Sequence, residues 1–271
     1  QVVDAHAQAS RQQARRRKVT AHLALIRRHP IKSVGGEGLE QVTLQAGRRL
    51  PGDREWAVLT EAGERHALAH QTDGQPDRWL PKSCFLRGVV SADLQAIVGG
   101  WRDGMLHLSH PRAGTLVLDP ATQGQQLIDW LRPLWPTDAP APTRLVHGAA
   151  VWTDQKRPLV SILSLSSLAH LEAQCGQALG THRWRGNLWV DGWAPFAERD
   201  LIGRTIRIGA AELRVTDHVG RCDATSADTD SGTRDIDMVQ TLDRLYGHTD
   251  FGIFAEVVTG GPVRLQDQVH A

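Results

Sequence analysis

Cysteine is scarce in this chain: Cys84, Cys175 and Cys222 are the only three in 271 residues. An odd number with no short-range pairing excludes a disulfide framework, and the length is enough to bury a core without staples. The same scarcity points to a reducing compartment, so a cytoplasmic location is the expectation. No run approaches the roughly 20 apolar residues that a membrane span needs. Charge of one sign is also missing. With 31 Lys+Arg against 30 Asp+Glu the net charge is +1, which gives no global electrostatic case for a nucleic-acid partner, and any basic site must be local. Lysine itself is rare (Lys18, Lys32, Lys82 and Lys156), and nine Trp stand beside a single Tyr, Tyr246. An Arg-for-Lys bias is what a GC-rich genome produces, yet it makes each lysine worth scrutiny. The 41% hydrophobic and 23% charged residues exclude a disordered chain.

Several signatures of chemistry are absent. The segment Val34-Gly35-Gly36-Glu37-Gly38 is glycine-rich but is neither a Walker loop nor a dinucleotide fingerprint, and there is no Gly-x-Ser-x-Gly or His-Glu-x-x-His. No internal repeat and no parallel βαβ alternation is evident, so a Rossmann reading fails.

Residues 1–18 hold the run Arg11 to Lys18 with almost no apolar side chains, which predicts a solvated basic tail. From Val19 the pattern is of short strands separated by turn signals, as in a β-rich barrel. Strands are expected at His22–Ile26, Leu39–Leu44, Glu55–Thr60, Leu106–Leu108 and Thr115–Leu118, and a helix over Ala121–Leu134 from its three- and four-residue apolar steps. Proline-rich 136–143 reads as a linker between a first subdomain, 19–135, and a second, 144–271. Beyond it come a strand at Leu159–Leu163, a helix from Ser164 or Ser166 to Gly180 with Cys175 on its core face, and strands at Asn187–Asp191, Thr205–Ile208, Glu212–Asp217, Gly252–Val258 and Val263–Leu265. A short helix is expected at Ile236–Tyr246. The stretch Lys82-Ser83-Cys84-Phe85 is strand-like, with Cys84 as buried packing.

The residues that stand out for chemistry are Gly220-Arg221-Cys222-Asp223-Ala224-Thr225, at a strand end and before the turn-rich Asp228-Thr229-Asp230-Ser231-Gly232. A cysteine in a polar, Gly-flanked loop beside an arginine is accessible, and the guanidinium favours its ionised form. A thiolate there is a nucleophile or a soft-metal ligand; an ordinary loop cysteine is the alternative.

The run Arg221-Cys222-x-x-Thr225-x-x-Asp228-x-Asp230-x-Gly232 resembles the signature of the MOSC domain, the module of molybdenum-cofactor sulfurases and of the amidoxime-reducing component. The likeness extends to Arg185-Gly186-Asn187, to Asp191 through Glu198, to Phe251-Gly252-Ile253-Phe254 and to Gly260 through Asp267. Near the other end, Pro30-Ile31-Lys32-Ser33 and Gly52-Asp53-Arg54-Glu55-Trp56 resemble the β-barrel module that precedes the MOSC domain in the amidoxime-reducing subgroup.

This resemblance implies a β-rich (α+β) fold, a MOSC β-barrel with a preceding barrel-type subdomain and a few short helices. It also implies a molybdenum–molybdopterin cofactor held by the pterin dithiolene and one protein thiolate, with Cys222 in that metal-ligand position. Lys32, Ser33, Arg54 and Arg185 then supply charge and donors for the pterin phosphate. Asn187 and Thr225 fall at further cofactor-binding positions, although Thr225, Asp228 and Asp230 equally suit a turn. Which of Arg183 and Arg185 points inward is open. Arg221 lies beside the ligand as a catalytic-site residue, and Trp184, Trp189 and Trp193 are expected in the core or pocket wall. Gly220 and Thr229 depart from the animal amidoxime-reducing members, which carry a small polar residue and a proline there. The implied activity is reduction of N-hydroxylated compounds (amidoximes, hydroxylamines, N-hydroxylated bases) by oxygen-atom transfer. The alternative is a cofactor carrier or a persulfide-forming sulfur-transfer module. No flavin, haem or iron–sulfur motif is visible, so a separate electron-donor protein is the expected partner.

Overall fold

The computed structural model describes residues 20–69, 71–73, 75–148 and 152–271; the expected basic tail at 1–18 lies outside them. The chain opens with β1 (His22–Arg28), β2 (Glu37–Leu39), β3 (Gln41–Leu44) and β4 (Trp56–Thr60), then α1 (Glu61–Leu68) and the two-residue strands β5 (Gln71–Thr72) and β6 (Gln75–Pro76). A meander of β7 (Val98–Arg102), β8 (Met105–His110) and β9 (Gly114–Leu118) leads to α2 (Gly124–Leu131) and β10 (Pro142–His147). The remainder is β11 (Leu159–Ser164), α3 (Leu165–Cys175), β12 (Leu188–Asp191), β13 (Thr205–Ile208), β14 (Ala211–Gly220), α4 (Met238–Tyr246), β15 (Asp250–Thr259), β16 (Gly261–Arg264) and β17 (Val269–His270).

Eight strands make the main sheet in the order β17-β13-β14-β15-β11-β12-β1-β2. Alternation drives it. Along β14, Ala211, Leu213 and Val215 are buried while Glu212 and Arg214 are exposed, the period-two signature of a strand with one wet face. Those inward residues join Leu23, Ile26, Val160, Ile162, Ile253 and Ala255 in one core, each large side chain contributing about 2 kcal/mol by burial. The sheet curls until its edge strand β17 meets the start of β1: Val269 N–H donates to the Ala21 carbonyl and Leu23 N–H to the Asp267 carbonyl, both at 2.8 Å, around a single bridge of His22 with Gln268. The expected barrel is therefore a curled sheet laced by one bridge, without a closed ladder among the described residues.

The β-rich architecture with few short helices matches the expectation; details differ. The pair β11 and β12 is parallel, with α3 between them, so one βαβ unit exists where none was expected. The long 176–187 connection had hidden it. The sheet also recruits β1 and β2 from the start of the chain, and β3 pairs with β16. The segment between them forms a smaller unit from the β7-β8-β9 meander, the β4–β10 ladder and α2. Its core is filled by Leu106, Leu118, Leu127, Ile128 and Leu131.

Two helices are shorter than their periodicity suggested. Residues 132–134 of the expected Ala121–Leu134 helix form a 3-10 turn. Helix α3 begins at Ser164, whose hydroxyl accepts from Ser167 N–H, and stops at Gly176, which takes the left-handed conformation (φ 68°). Cys175 is thus the last helical residue and is only half-buried, rather than a core residue. Lys82–Cys84 is a 3-10 turn rather than a strand, although Cys84 is buried there as expected.

Candidate functional site

Lys32 and Ser33 follow β1, Arg54 precedes β4, Arg185 and Asn187 precede β12, and Arg221, Cys222 and Thr225 follow β14. The fold brings all eight onto the wall of one cavity of about 520 Å³. Eight basic side chains line it among the described residues (Lys32, Arg49, Arg54, Lys82, Arg87, Arg183, Arg185 and Arg221) against the two carboxylates Asp53 and Asp154. The chain's near-zero net charge therefore conceals a strongly cationic interior.

The backbone is committed to this arrangement. Ser33 (φ 62°), Arg54 (φ 54°) and Arg185 (φ 49°) all sit in the left-handed region, where a non-glycine residue costs on the order of 1–3 kcal/mol. Hydrogen bonds hold Arg54 and Arg185 there. Asp53, 3% exposed, accepts from the His29 backbone N–H at 2.8 Å and faces His29 Nδ1 at 3.3 Å. Its other oxygen takes the Arg54 guanidinium. Arg54 donates onward to the Arg185 carbonyl at 2.8 Å, and Arg185 donates to the Gly35 and Ile31 carbonyls at 2.7 and 3.2 Å. Burial first, and Arg54 next, depress the Arg185 pKa to about 9. Asp53 moves the opposite way from what burial alone dictates: the Arg54 charge and the His29 contacts hold its carboxyl far below the usual range.

Cys222 is exposed. Its carbonyl accepts from both the Thr225 backbone N–H (3.0 Å) and the Thr225 hydroxyl (2.9 Å), which closes the 3-10 turn Asp223–Ser226. Arg221 anchors the near side of the loop. Its guanidinium donates to the carbonyls of Trp184 (2.9 Å) and Phe251 (2.9 Å from Nε), and burial lowers its pKa to about 9. Arg183, 1% exposed, forms a bidentate pair with Asp235 at 2.7 and 2.8 Å and donates to the Thr225 carbonyl at 3.0 Å. Arg183 and Arg185 both reach the cavity wall, and Arg183 also ties the loop down.

Other expected ligand groups are engaged within the protein. The Asn187 side chain accepts from the Ser161 N–H and hydroxyl and donates to the Arg27 carbonyl. Asp228 shapes a turn, its carboxylate accepting from the Ser231 N–H and hydroxyl and the Asp230 N–H. Trp184 and Trp189 are core residues. Glu198, in the stretch matched to the family, is buried on Ser167 and is not among the cavity residues.

Reasoning from sequence missed Arg49, Arg87, Gln95 and Asp154. Gln95 is 2% exposed; its amide nitrogen donates to the Ala224 carbonyl at 3.0 Å, and Gly88 leaves room for it, since a Cβ there would lie 2.7 Å from that nitrogen. Gln95 Oε1 and Arg87 Nε are buried without a hydrogen-bond partner among the described residues, an arrangement that favours a polar occupant.

The family model for the MOSC domain matches residues 147–270. Among solved structures, YiiM from Geobacillus stearothermophilus is 14% identical over 41% of this chain and 52% of its own, about half its length, with a TM-score of 0.33. The YUAD protein from Bacillus subtilis is 12% identical over 92% of this chain and 94% of its own, with a TM-score of 0.43. No curated protein matches. No helix among the described residues is long and apolar enough to cross a membrane.

Proposed function

We propose that this chain is a molybdenum-cofactor-dependent oxidoreductase that reduces N-hydroxylated compounds such as amidoximes, hydroxylamines and N-hydroxylated bases, with Cys222 as the protein ligand to molybdenum. The observation that carries this reading is the exposed Cys222 thiol on the wall of a cavity lined by eight cations. The residues fit the group. A thiol is a soft donor suited to molybdenum, the guanidinium and ammonium groups suit an anionic phosphate, and the unmet Gln95 oxygen and Arg87 nitrogen suit the donors and acceptors of a heterocycle.

When bound, the cofactor supplies two-electron oxygen-atom-transfer chemistry. The chain does the rest. Lys32, Ser33, Arg54 and Arg185 hold the phosphate, Arg221 and Thr225 fix the loop that presents the thiol, and Asn187 braces β11 against β12 behind it. Electrons arrive from a separate donor protein.

The test is reduction of benzamidoxime by the purified, cofactor-loaded chain with a chemical electron donor. Wild type is expected to form benzamidine with multiple turnovers, and Cys222→Ser to lose at least 100-fold in rate. Protein that instead accumulates persulfide at Cys222 without reducing benzamidoxime would establish the sulfur-transfer alternative.

A further inference from the structure

Only two carboxylates line the cationic cavity among the described residues, and they are held very differently. Asp53 is 3% exposed and locked between His29 and Arg54. Asp154 belongs to residues 153–157, which have neither helix nor strand, and its side chain is 52% exposed. Yet it is the counter-charge of Lys32, whose side chain is only 8% exposed. Its second oxygen lies 3.8 Å from Lys82. Arg49 fastens the same segment by donating to the Gln155 and Lys156 carbonyls at 2.7 and 3.1 Å.

A buried ammonium must have a negative partner. Here that partner is a half-exposed side chain on an irregular segment at the mouth of the cavity, a group able to swing into water at little cost. We propose that Asp154 is a built-in competitor for the anion that the cavity takes: its carboxylate pairs with Lys32 and Lys82, and a phosphate group entering the cavity displaces it and releases the strap formed by residues 153–157. This deepens the reading of the cavity as a phosphate-bearing cofactor's site and rests on it only for the ligand's chemical class.

The test uses inorganic pyrophosphate as the probe, titrated calorimetrically into the full chain without cofactor. Removing the competitor in Asp154→Asn is expected to tighten pyrophosphate binding about tenfold, and Lys32→Met in the same background to abolish the gain. If Asp154 instead positions Lys32 for the anion, Asp154→Asn weakens binding, and that result overturns the inference; so do unchanged binding and absence of pyrophosphate binding by both proteins. A second readout needs no substitution. Trypsin cleavage after the exposed Lys156 is expected to speed up several-fold when pyrophosphate saturates wild type, and protection from cleavage would contradict release of the strap. Because neither readout involves molybdenum or turnover, failure of the reductase reading leaves both decisive.

Discussion

The Arg221 guanidinium lies 5.4 Å from the centroid of the Trp184 ring while donating a hydrogen bond to the Trp184 carbonyl at 2.9 Å. Trp184 is itself stacked on Phe251 at 4.0 Å, whose carbonyl receives the rest of the Arg221 fork. One arginine thus ties the β14 end to the connection before β12 and to β15, one residue from the exposed thiol.

Arg221→Met is expected to lower stability by about 2–4 kcal/mol, because it leaves two inward-facing carbonyls without donors. Arg221→Lys keeps the charge but not the planar fork, so it should recover less than half of that loss in a denaturant titration. Full recovery by lysine would mean that charge alone matters at this position.

Native protein should show one fast-reacting thiol with an aromatic disulfide reagent. Cys222 is exposed, Cys84 is buried, and Cys175 is half-buried with its pKa raised mainly by burial. Cys222→Ser should remove the fast phase, leaving the half-buried Cys175 to react slowly and Cys84 only on unfolding; two fast thiols in wild type would show that the partial burial of Cys175 does not protect it.

Stability should fall on the acid side through histidine. Burial, and then the Arg185 charge, lower the His182 pKa to about 4, below its ordinary value near 6.5. Above pH 6.5 both folded and unfolded chains carry the neutral ring. Below it the unfolded chain takes up a proton that the folded chain refuses, so stability drops as pH falls towards 4, by about 2 kcal/mol between pH 7 and pH 5. His182→Asn should flatten that part of the profile, measured as denaturant midpoints at the two pH values. His29, also held neutral by burial, should preserve a residual slope.

Gly63→Ala tests packing beneath the site. Alanine in α1 should gain about 1 kcal/mol in helix propensity. A Cβ at residue 63 would, however, lie 2.1 Å from the Cys84 carbonyl oxygen, and forcing the helix off that backbone costs more, about 1–3 kcal/mol or above. The net expectation is a loss of up to about 2 kcal/mol, read from thermal unfolding; a gain would show that α1 moves freely over the Lys82–Cys84 turn.

The strands were legible where alternation is regular, as in β13 and β14, and the site was legible where motifs carried it. Lys32, Ser33, Arg54, Arg185, Asn187, Arg221, Cys222 and Thr225 share one cavity although nearly 200 residues separate the first from the last. Other features were hidden for physical reasons. Proline at the start of β10 masked a strand that pairs with β4. Glycine in α1 and in β7 disguised both elements. Gln95 and Asp154 carry no motif. Gln95 matters because tertiary contact aims its amide at Ala224, and Asp154 because folding makes it the carboxylate that Lys32 pairs with.

Molybdenum content of the as-purified chain, compared with that of Cys222→Ser, tests the central claim most directly. The account predicts about one molybdenum per wild-type chain, accompanied by an equal amount of pterin, and less than a tenth of that in Cys222→Ser with the fold unchanged. Equal molybdenum in both proteins, or none in wild type supplied with cofactor during expression, would contradict it.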